Sequence, residues 1–241
     1  IIKMKKIFVV LSMSLVLISC DPATLQRALE TASQQSSTLT DQEVASGLKE
    51  ALTMGVSSGV DYLSAQDGYY KSVYKILLPT EAQTVVNKLK IIPGFELVEE
   101  EIIKRVNKSA ELAASKAKPI FVNAIRQLTF KDVWNILTGD KNAATQYLYK
   151  TSYDQLYGEF QPVIINSLNQ YNALDYWTQA VNKYNTIPFV SKVNPKLENY
   201  ITEKALEGLF DMVEKKELSI RNDIRERTTD LLRKVFARQD K

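Results

Sequence analysis

Two polar residues at helical spacing form the first candidate binding site. Asn107 and Glu111 are four residues apart in an alanine-rich stretch, so a helix would place both on one face beside small side chains. Small neighbours leave room for a ligand. The alternative is a partly buried pair that satisfies a helix terminus or an arginine, and we favour it because buried polar groups are often structural.

A tyrosine stripe forms the second candidate site. Tyr149, Tyr153 and Tyr157 recur every four residues, which places them on one face of a helix. Tyr149 and Tyr153 could stack on the sugar rings of an envelope glycan, because aromatic faces suit the apolar faces of sugars. A stripe at helical spacing is more typical of a core-facing surface with its hydroxyls at the rim, and we favour that interpretation.

The remaining chemistry is limited by residue types that the chain lacks. It has no histidine and one cysteine, Cys20, which excludes histidine-based triads, histidine metal ligands and cysteine-ligated zinc. Three consecutive acids, Glu99 to Glu101, point about 100° apart on a helix and cannot converge on one ion. We therefore predict no catalytic residue, no metal site and no cofactor. A carboxylate-dependent enzyme acting on envelope glycans is the alternative.

The segment before Cys20 has the pattern of a secretory signal. Lys5 and Lys6 precede an apolar run from Ile7 to Leu17, which is too short to span a bilayer comfortably. The run ends in Leu17-Ile18-Ser19-Cys20, which resembles the lipobox of bacterial lipoproteins. The resemblance implies cleavage of residues 1–19, lipid attachment to Cys20, and a membrane as partner. We expect anchoring to the inner or outer membrane, with the domain in the periplasm.

The charge balance argues against a nucleic-acid partner. Three of the 31 basic residues, Lys3, Lys5 and Lys6, fall in the predicted signal peptide, and the others balance the 28 acidic residues. A mature chain with no net charge and no basic block has no field to attract nucleic acid. Residues 20–40 are rich in Ser, Thr and Gln, which predicts a lipidated tether that buries little.

Hydrophobic periodicity predicts a single all-helical domain over residues 41–241. A capping box at Thr40 and Glu43 begins a helix that reaches about residue 65, and a second box begins at Thr129. Pro119 should kink or split the periodic stretch 95–128, and Pro162 should separate helices near 141–157 and 160–170. Further helices are expected near 80–92, 130–138, 173–184, 195–217 and 220–238. The last is amphipathic and basic, and we expect it to dock on the core.

Several of these segments resemble one family. The chain is similar to domain of unknown function 4197, a bacterial envelope family, over nearly all of residues 39–236. The matching segments are LTDQEVASGLKEALTMGVSSGV (39–60), VNKSAELAASKAKPIFVNAI (106–125), LTFKDVWNILTGDKNAATQYL (128–148), YITEKALEGLF (200–210) and TTDLLRKVF (228–236). The resemblance implies a compact helical domain, often behind a secretion or lipoprotein leader, and it implies no activity.

The sequence therefore indicates a protein that acts through its location and shape rather than through catalysis. We expect a non-catalytic binding or scaffolding module, tethered to a membrane through Cys20. Its partner would be a lipid, a glycan or a protein of the cell envelope.

Overall fold

The computed structural model describes only part of the chain. The described residues are 39–89, 98–170, 174, 177–178, 181–182, 185–186, 188–189, 191–194, 196–237 and 240. The predicted signal peptide, Cys20 and the tether as far as residue 38 lie outside them, as does the predicted helix end at Pro93-Gly94. Most of the predicted helix 173–184 lies outside them as well.

The described residues form an all-α domain without a β-strand, which confirms the predicted fold class. The helices are α1 (Asp41–Ser64), α2 (Thr80–Leu89), α3 (Val98–Ala114), α4 (Ala117–Arg126), α5 (Phe130–Thr138), α6 (Ala143–Asn169), α7 (Leu197–Asn222) and α8 (Asp230–Phe236), with a 3-10 turn at Ile224–Glu226. None of these helices is both long enough and apolar enough to cross a bilayer.

Two helices begin with the capping boxes that the sequence predicts. Thr40 accepts a hydrogen bond from the Glu43 amide at 3.2 Å, and the Glu43 carboxylate accepts one from the Thr40 amide at 2.9 Å. Thr129 and Asp132 make the same reciprocal pair at the start of α5. Each box satisfies two amides that have no partner within the helix.

Two prolines have different effects on the helices that contain them. The stretch 95–128 is split as predicted, with α3 ending at Ala114 and α4 beginning at Ala117. Pro119 lies in the first turn of α4, where its missing amide hydrogen is not needed. The predicted break at Pro162 is wrong, because Pro162 lies inside the single helix α6. The buried side chains of Phe160 and Ile164 continue the apolar stripe past the proline and offset its cost.

The core lies around α7. This helix packs against both α1 and α6, while α3 packs on α6, and α4 contacts α1 and α6. The side chains of Ile201, Leu206 and Leu209 in α7 are fully buried. The predicted end of this helix near residue 217 is wrong, because Ile220 and Arg221 are also buried and the helix continues to Asn222.

Glycines on α1 allow two other helices to approach it closely. A side chain at Gly59 would lie 2.9 Å from Met212 of α7, and one at Gly47 would lie 2.6 Å from Val235 of α8. In the sequence, Ala51, Gly55 and Gly59 recur every four residues, and such a stripe of small residues on a helix predicts tight packing in a soluble core. The contacts of Gly55 and Gly59 with α7 agree with this prediction.

Alanine at Gly47 and alanine at Gly55 should change stability in opposite directions. The Cβ at position 47 would overlap the buried Val235, so we expect Gly47→Ala to destabilise the fold by about 1–3 kcal/mol. At position 55 the Cβ meets only the flexible Lys216 stem at 3.4 Å, so the better helix former should stabilise by up to about 1 kcal/mol. Urea unfolding followed by circular dichroism checks both, and a Gly47→Ala variant as stable as wild type would contradict the prediction.

The C-terminal segment docks on α1, as predicted, through a helix shorter than the predicted 220–238. Leu232, Val235 and Phe236 of α8 are buried. At the edge of this contact the Lys234 ammonium donates to the Glu43 carboxylate at 2.6 Å. That hydrogen bond, together with those from Thr40, lowers the Glu43 pKa from its ordinary value of 4.5 to about 2.

The contact between Lys234 and Glu43 predicts a measurable pH dependence. Because the folded pKa is depressed, the stabilisation is fully present above pH 4.5 and is lost as pH falls through about 2. In Lys234→Met we expect the Glu43 pKa to rise toward its ordinary value, measured by NMR titration of the side-chain carboxyl. Lys118→Met removes a lysine that pairs with Asp61 instead, and it should leave the Glu43 pKa unchanged.

Candidate functional site

Asn107 holds a non-helical segment against α3. Its side-chain oxygen accepts from the Ile76 amide at 2.7 Å, and its amide nitrogen donates to the Ile76 carbonyl at 2.8 Å. The same nitrogen donates to the Ile103 carbonyl, and the residue is completely buried. Residues 75–79 form neither a helix nor a strand. Asn107 thus has a structural role, although its partners are neither a helix terminus nor an arginine, and it lines none of the grooves described below.

Glu111 lies one turn further along α3 and lines a groove that Asn107 does not reach. It is 2% exposed, and its carboxylate contacts the Tyr70 amide at 3.5 Å and the Lys108 ammonium at 3.6 Å. The groove has a volume of about 510 Å³ and carries both signs of charge. Its other charged residues are Asp67, Glu101, Lys104 and Arg105. The structure therefore separates the two members of the predicted pair.

The tyrosine stripe of α6 is only partly buried. Tyr149 is 50% exposed, and its ring lies 4.7 Å from that of Tyr153 and 5.0 Å from that of Phe210 on α7, measured between centroids. Phe210 is buried and stacks in turn on Tyr153 at 6.3 Å. Core packing, the favoured interpretation of the stripe, thus holds only in part, because Tyr149 and Tyr153 also line an open groove.

We call this feature the tyrosine groove. It runs between α6 and α7 and has a volume of about 510 Å³. Aromatic rings of both helices line it, together with four acidic side chains of α7. Its lining residues are Asn142, Thr145, Gln146, Tyr149, Tyr153, Glu203, Glu207, Phe210, Asp211 and Glu214. Phe210 and the four acids were not among the site residues predicted from sequence.

Negative charge dominates the tyrosine groove. Burial raises the pKa of the Tyr153 phenol, and the nearby carboxylate of Glu203 acts in the same direction. Burial also acts to raise the pKa of Asp211, but hydrogen bonds from Lys215 and Tyr74 outweigh it and lower that pKa overall. A carboxyl that must donate a proton to a glycosidic oxygen needs a raised pKa. Asp211 lacks this feature, and its carboxylate already pairs with Lys215 at 2.7 Å.

Among the described residues, the acids outside this groove do not gather into a metal site. Glu99, Glu100 and Glu101 occupy the first turn of α3, where the helix dipole favours negative charge. Glu100 accepts from the Tyr70 hydroxyl and lies 3.8 Å from the Lys75 ammonium. Within the described part of the chain, no three acidic side chains lie close enough together to hold a metal ion.

Three buried charged residues were missed by the sequence analysis. Glu217 and Arg221 form an ion pair at 2.9 Å inside α7, and Arg227 is 1% exposed. Arg221 and Arg227 both fall within the helix 220–238 that was predicted to be basic and amphipathic, but both guanidinium groups donate to buried backbone carbonyls. The spacing of Glu217 and Arg221 indicates a pair but carries no information about burial.

Comparison with known proteins gives a family and no activity. No curated protein and no solved structure matches the chain. The model of the family described as "Protein of unknown function (DUF4197)" matches residues 38–237, which include every residue of the tyrosine groove. Since that match covers most of the chain, the protein belongs to the DUF4197 family.

Proposed function

We propose that this protein is an envelope lipoprotein that acts as a non-catalytic binding module, anchored through Cys20 and holding its ligand in the tyrosine groove. The observation that carries the proposal is the half-exposed Tyr149, which lies against Phe210 at the edge of an open groove. A half-exposed aromatic ring that packs against its neighbours is already fixed in position. Ligand binding therefore costs it little conformational entropy. Rings of this kind are common contact residues at binding sites.

The anchor part of the proposal rests on sequence. A basic start, a short apolar run and Leu17-Ile18-Ser19-Cys20 fit the pattern of a lipoprotein signal. Attached lipid would keep the module at a membrane surface, where a modest affinity is sufficient because the ligand is local. A tether of about twenty residues would allow the groove to search that surface.

Labelling tests the anchor. Cells that express the full chain are grown with a palmitate analogue, and we expect the label on wild type and none on Cys20→Ala. The wild-type protein should also sediment with membranes. Equal labelling of the two proteins, or a soluble cytoplasmic wild type, would contradict the proposal.

Recovery of the ligand tests the groove. The full-length protein is extracted from membranes in mild detergent, and co-purifying lipids, glycans and peptides are identified by mass spectrometry. We expect a species that is enriched with wild type and depleted with Tyr149→Ala/Tyr153→Ala. Tyr62→Ala is the matched control, because Tyr62 is also 50% exposed but does not line the groove. The same inventory from all three proteins would count against a binding role for the groove.

A further inference from the structure

We infer that the tyrosine groove binds an extended basic peptide segment with lysine or arginine at alternate positions; the inference rests on the proposed function and names its ligand. The first supporting observation is that all charged residues lining the groove have the same sign. Four acids line the groove and no basic residue does. A cleft lined by one sign of charge concentrates ligands of the opposite sign and raises their rate of association.

The spacing of the acids supports an extended chain over a single small cation. Glu203, Glu207 and Asp211 follow one another at intervals of four residues, which is a rise of about 6 Å each along α7. Alternate side chains of an extended peptide point the same way and are about 6.6–6.8 Å apart. Glu214 continues the row, so that its total length is about 16 Å. Alternate basic side chains can therefore meet Glu203, Glu207 and Asp211 one after another, and Glu214 lies only about 4.5 Å further along the helix.

The two ends of the row are open to a partner. Glu207 pairs with Lys204 at 2.5 Å, and Asp211 pairs with Lys215 at 2.7 Å. Glu203 and Glu214 form no ion pair within the described part of the chain. Glu203 is exposed and Glu214 is half-buried, so both can be reached by a ligand. Binding of a basic segment to these end positions breaks no existing pair.

The aromatic rings of the groove also suit a basic peptide. A lysine or arginine side chain has a long apolar stem that can lie on the rings of Tyr149 and Tyr153. Its cationic end is attracted to the ring faces and to the carboxylates beyond them. A neutral sugar would use the rings but would leave Glu203 and Glu214 without a cationic partner.

A fluorescent peptide tests the inference. The probe is a labelled eight-residue peptide of alternating lysine and serine, and its anisotropy is measured with full-length protein in detergent. A peptide of the same composition with four lysines followed by four serines is the matched probe. We expect the alternating peptide to bind at least about 3-fold more tightly, because all four of its lysines point to one side, whereas only two lysines of the other peptide do.

Matched charge variants locate the binding. We expect Glu203→Gln/Glu214→Gln to weaken binding of the alternating peptide by about 5- to 10-fold, as the loss of two partly exposed ion pairs implies. Glu50→Gln/Glu159→Gln removes the same net charge outside the groove and should change affinity less than 2-fold. Tyr149→Ala should also weaken binding, with no change in the far-ultraviolet circular dichroism of the protein.

Three results would overturn the inference. These are absence of binding, equal affinity for the two peptides, and equal loss in the groove variant and its control. The proposed function can still hold in those cases. If Tyr149→Ala/Tyr153→Ala depletes a neutral glycan or a lipid from the purified protein while the lysine peptide fails to bind, the groove is a binding site for another ligand class.

Discussion

Replacing Glu217 with alanine is expected to lower the free energy of unfolding by about 3–5 kcal/mol. One oxygen of the Glu217 carboxylate accepts from the Ala144 amide at 3.0 Å, and the other accepts from the Thr145 amide at 2.8 Å. It thereby caps α6, whose N-cap residue Asn142 makes no side-chain capping bond. The same carboxylate pairs with Arg221 at 2.9 Å, and both side chains are more than 90% buried.

The size of this effect comes from what alanine would leave behind. Arg221 would remain as a buried cation, because its other partners are the neutral carbonyls of Ile136 and Leu137 at the end of α5. Two amides of α6 would also lose their acceptor, and a buried group without a partner costs about 1–3 kcal/mol. The pair therefore joins the end of α5 and the start of α6 to α7.

Urea unfolding followed by circular dichroism measures the effect. Asp61→Ala is the control, since its pair with Lys118 is exposed and its loss should cost no more than about 1 kcal/mol. The double variant Glu217→Ala/Arg221→Met should be less destabilised than the sum of the two single variants, because it leaves no buried charge. An unfolding midpoint of Glu217→Ala equal to that of Asp61→Ala would contradict the burial of the pair.

Local signals explain why much of the fold could be predicted. The capping boxes at Thr40 and Thr129, the split near Pro119 and the close approach along the α1 glycines each depend on a few neighbouring residues. The apolar face of each helix depends on periodicity within one segment. These features need no knowledge of which helix packs on which.

Long-range packing explains the errors. Pro162 ends a helix by local rules, but the core that α6 faces keeps the helix continuous. Arg227 appears in sequence as one of several basic residues near the end of the chain. Only the fold shows that it is buried against the carbonyls at the end of α7.

The candidate site could likewise be predicted from the sequence only in part. Helical spacing correctly placed Tyr149 and Tyr153 on one face of α6, but the exposure of that face depends on α7. Phe210 and the acids of the tyrosine groove lie some 50 residues further along the chain, and no local pattern links them to the tyrosines. Asn107 and Glu111 share a helix, yet Asn107 contacts Ile76 while Glu111 faces a groove.

The second prediction of a large effect on stability concerns Arg227, for which we expect lysine to be a poor substitute. Its guanidinium donates to the Ile220 carbonyl at 3.0 Å and to the Arg221 carbonyl at 2.8 Å, which closes the end of α7. It also donates to both oxygens of Asp240, at 2.8 and 2.7 Å, and those bonds lower the Asp240 pKa. A single ammonium cannot reproduce this planar set of donors.

We therefore expect Arg227→Lys to destabilise the fold by about 2–4 kcal/mol, because buried carbonyls lose their donors and the new cation loses its bidentate partner. Arg225→Lys is the matched control: Arg225 also pairs with an aspartate, Asp223, but its side chain is 87% exposed, so the change should stay within about 0.5 kcal/mol. Urea unfolding of the two variants makes the comparison. If both lysine variants unfold at the wild-type midpoint, Arg227 does not close α7 in solution, and the C-terminal segment is held by the apolar contacts of α8 alone.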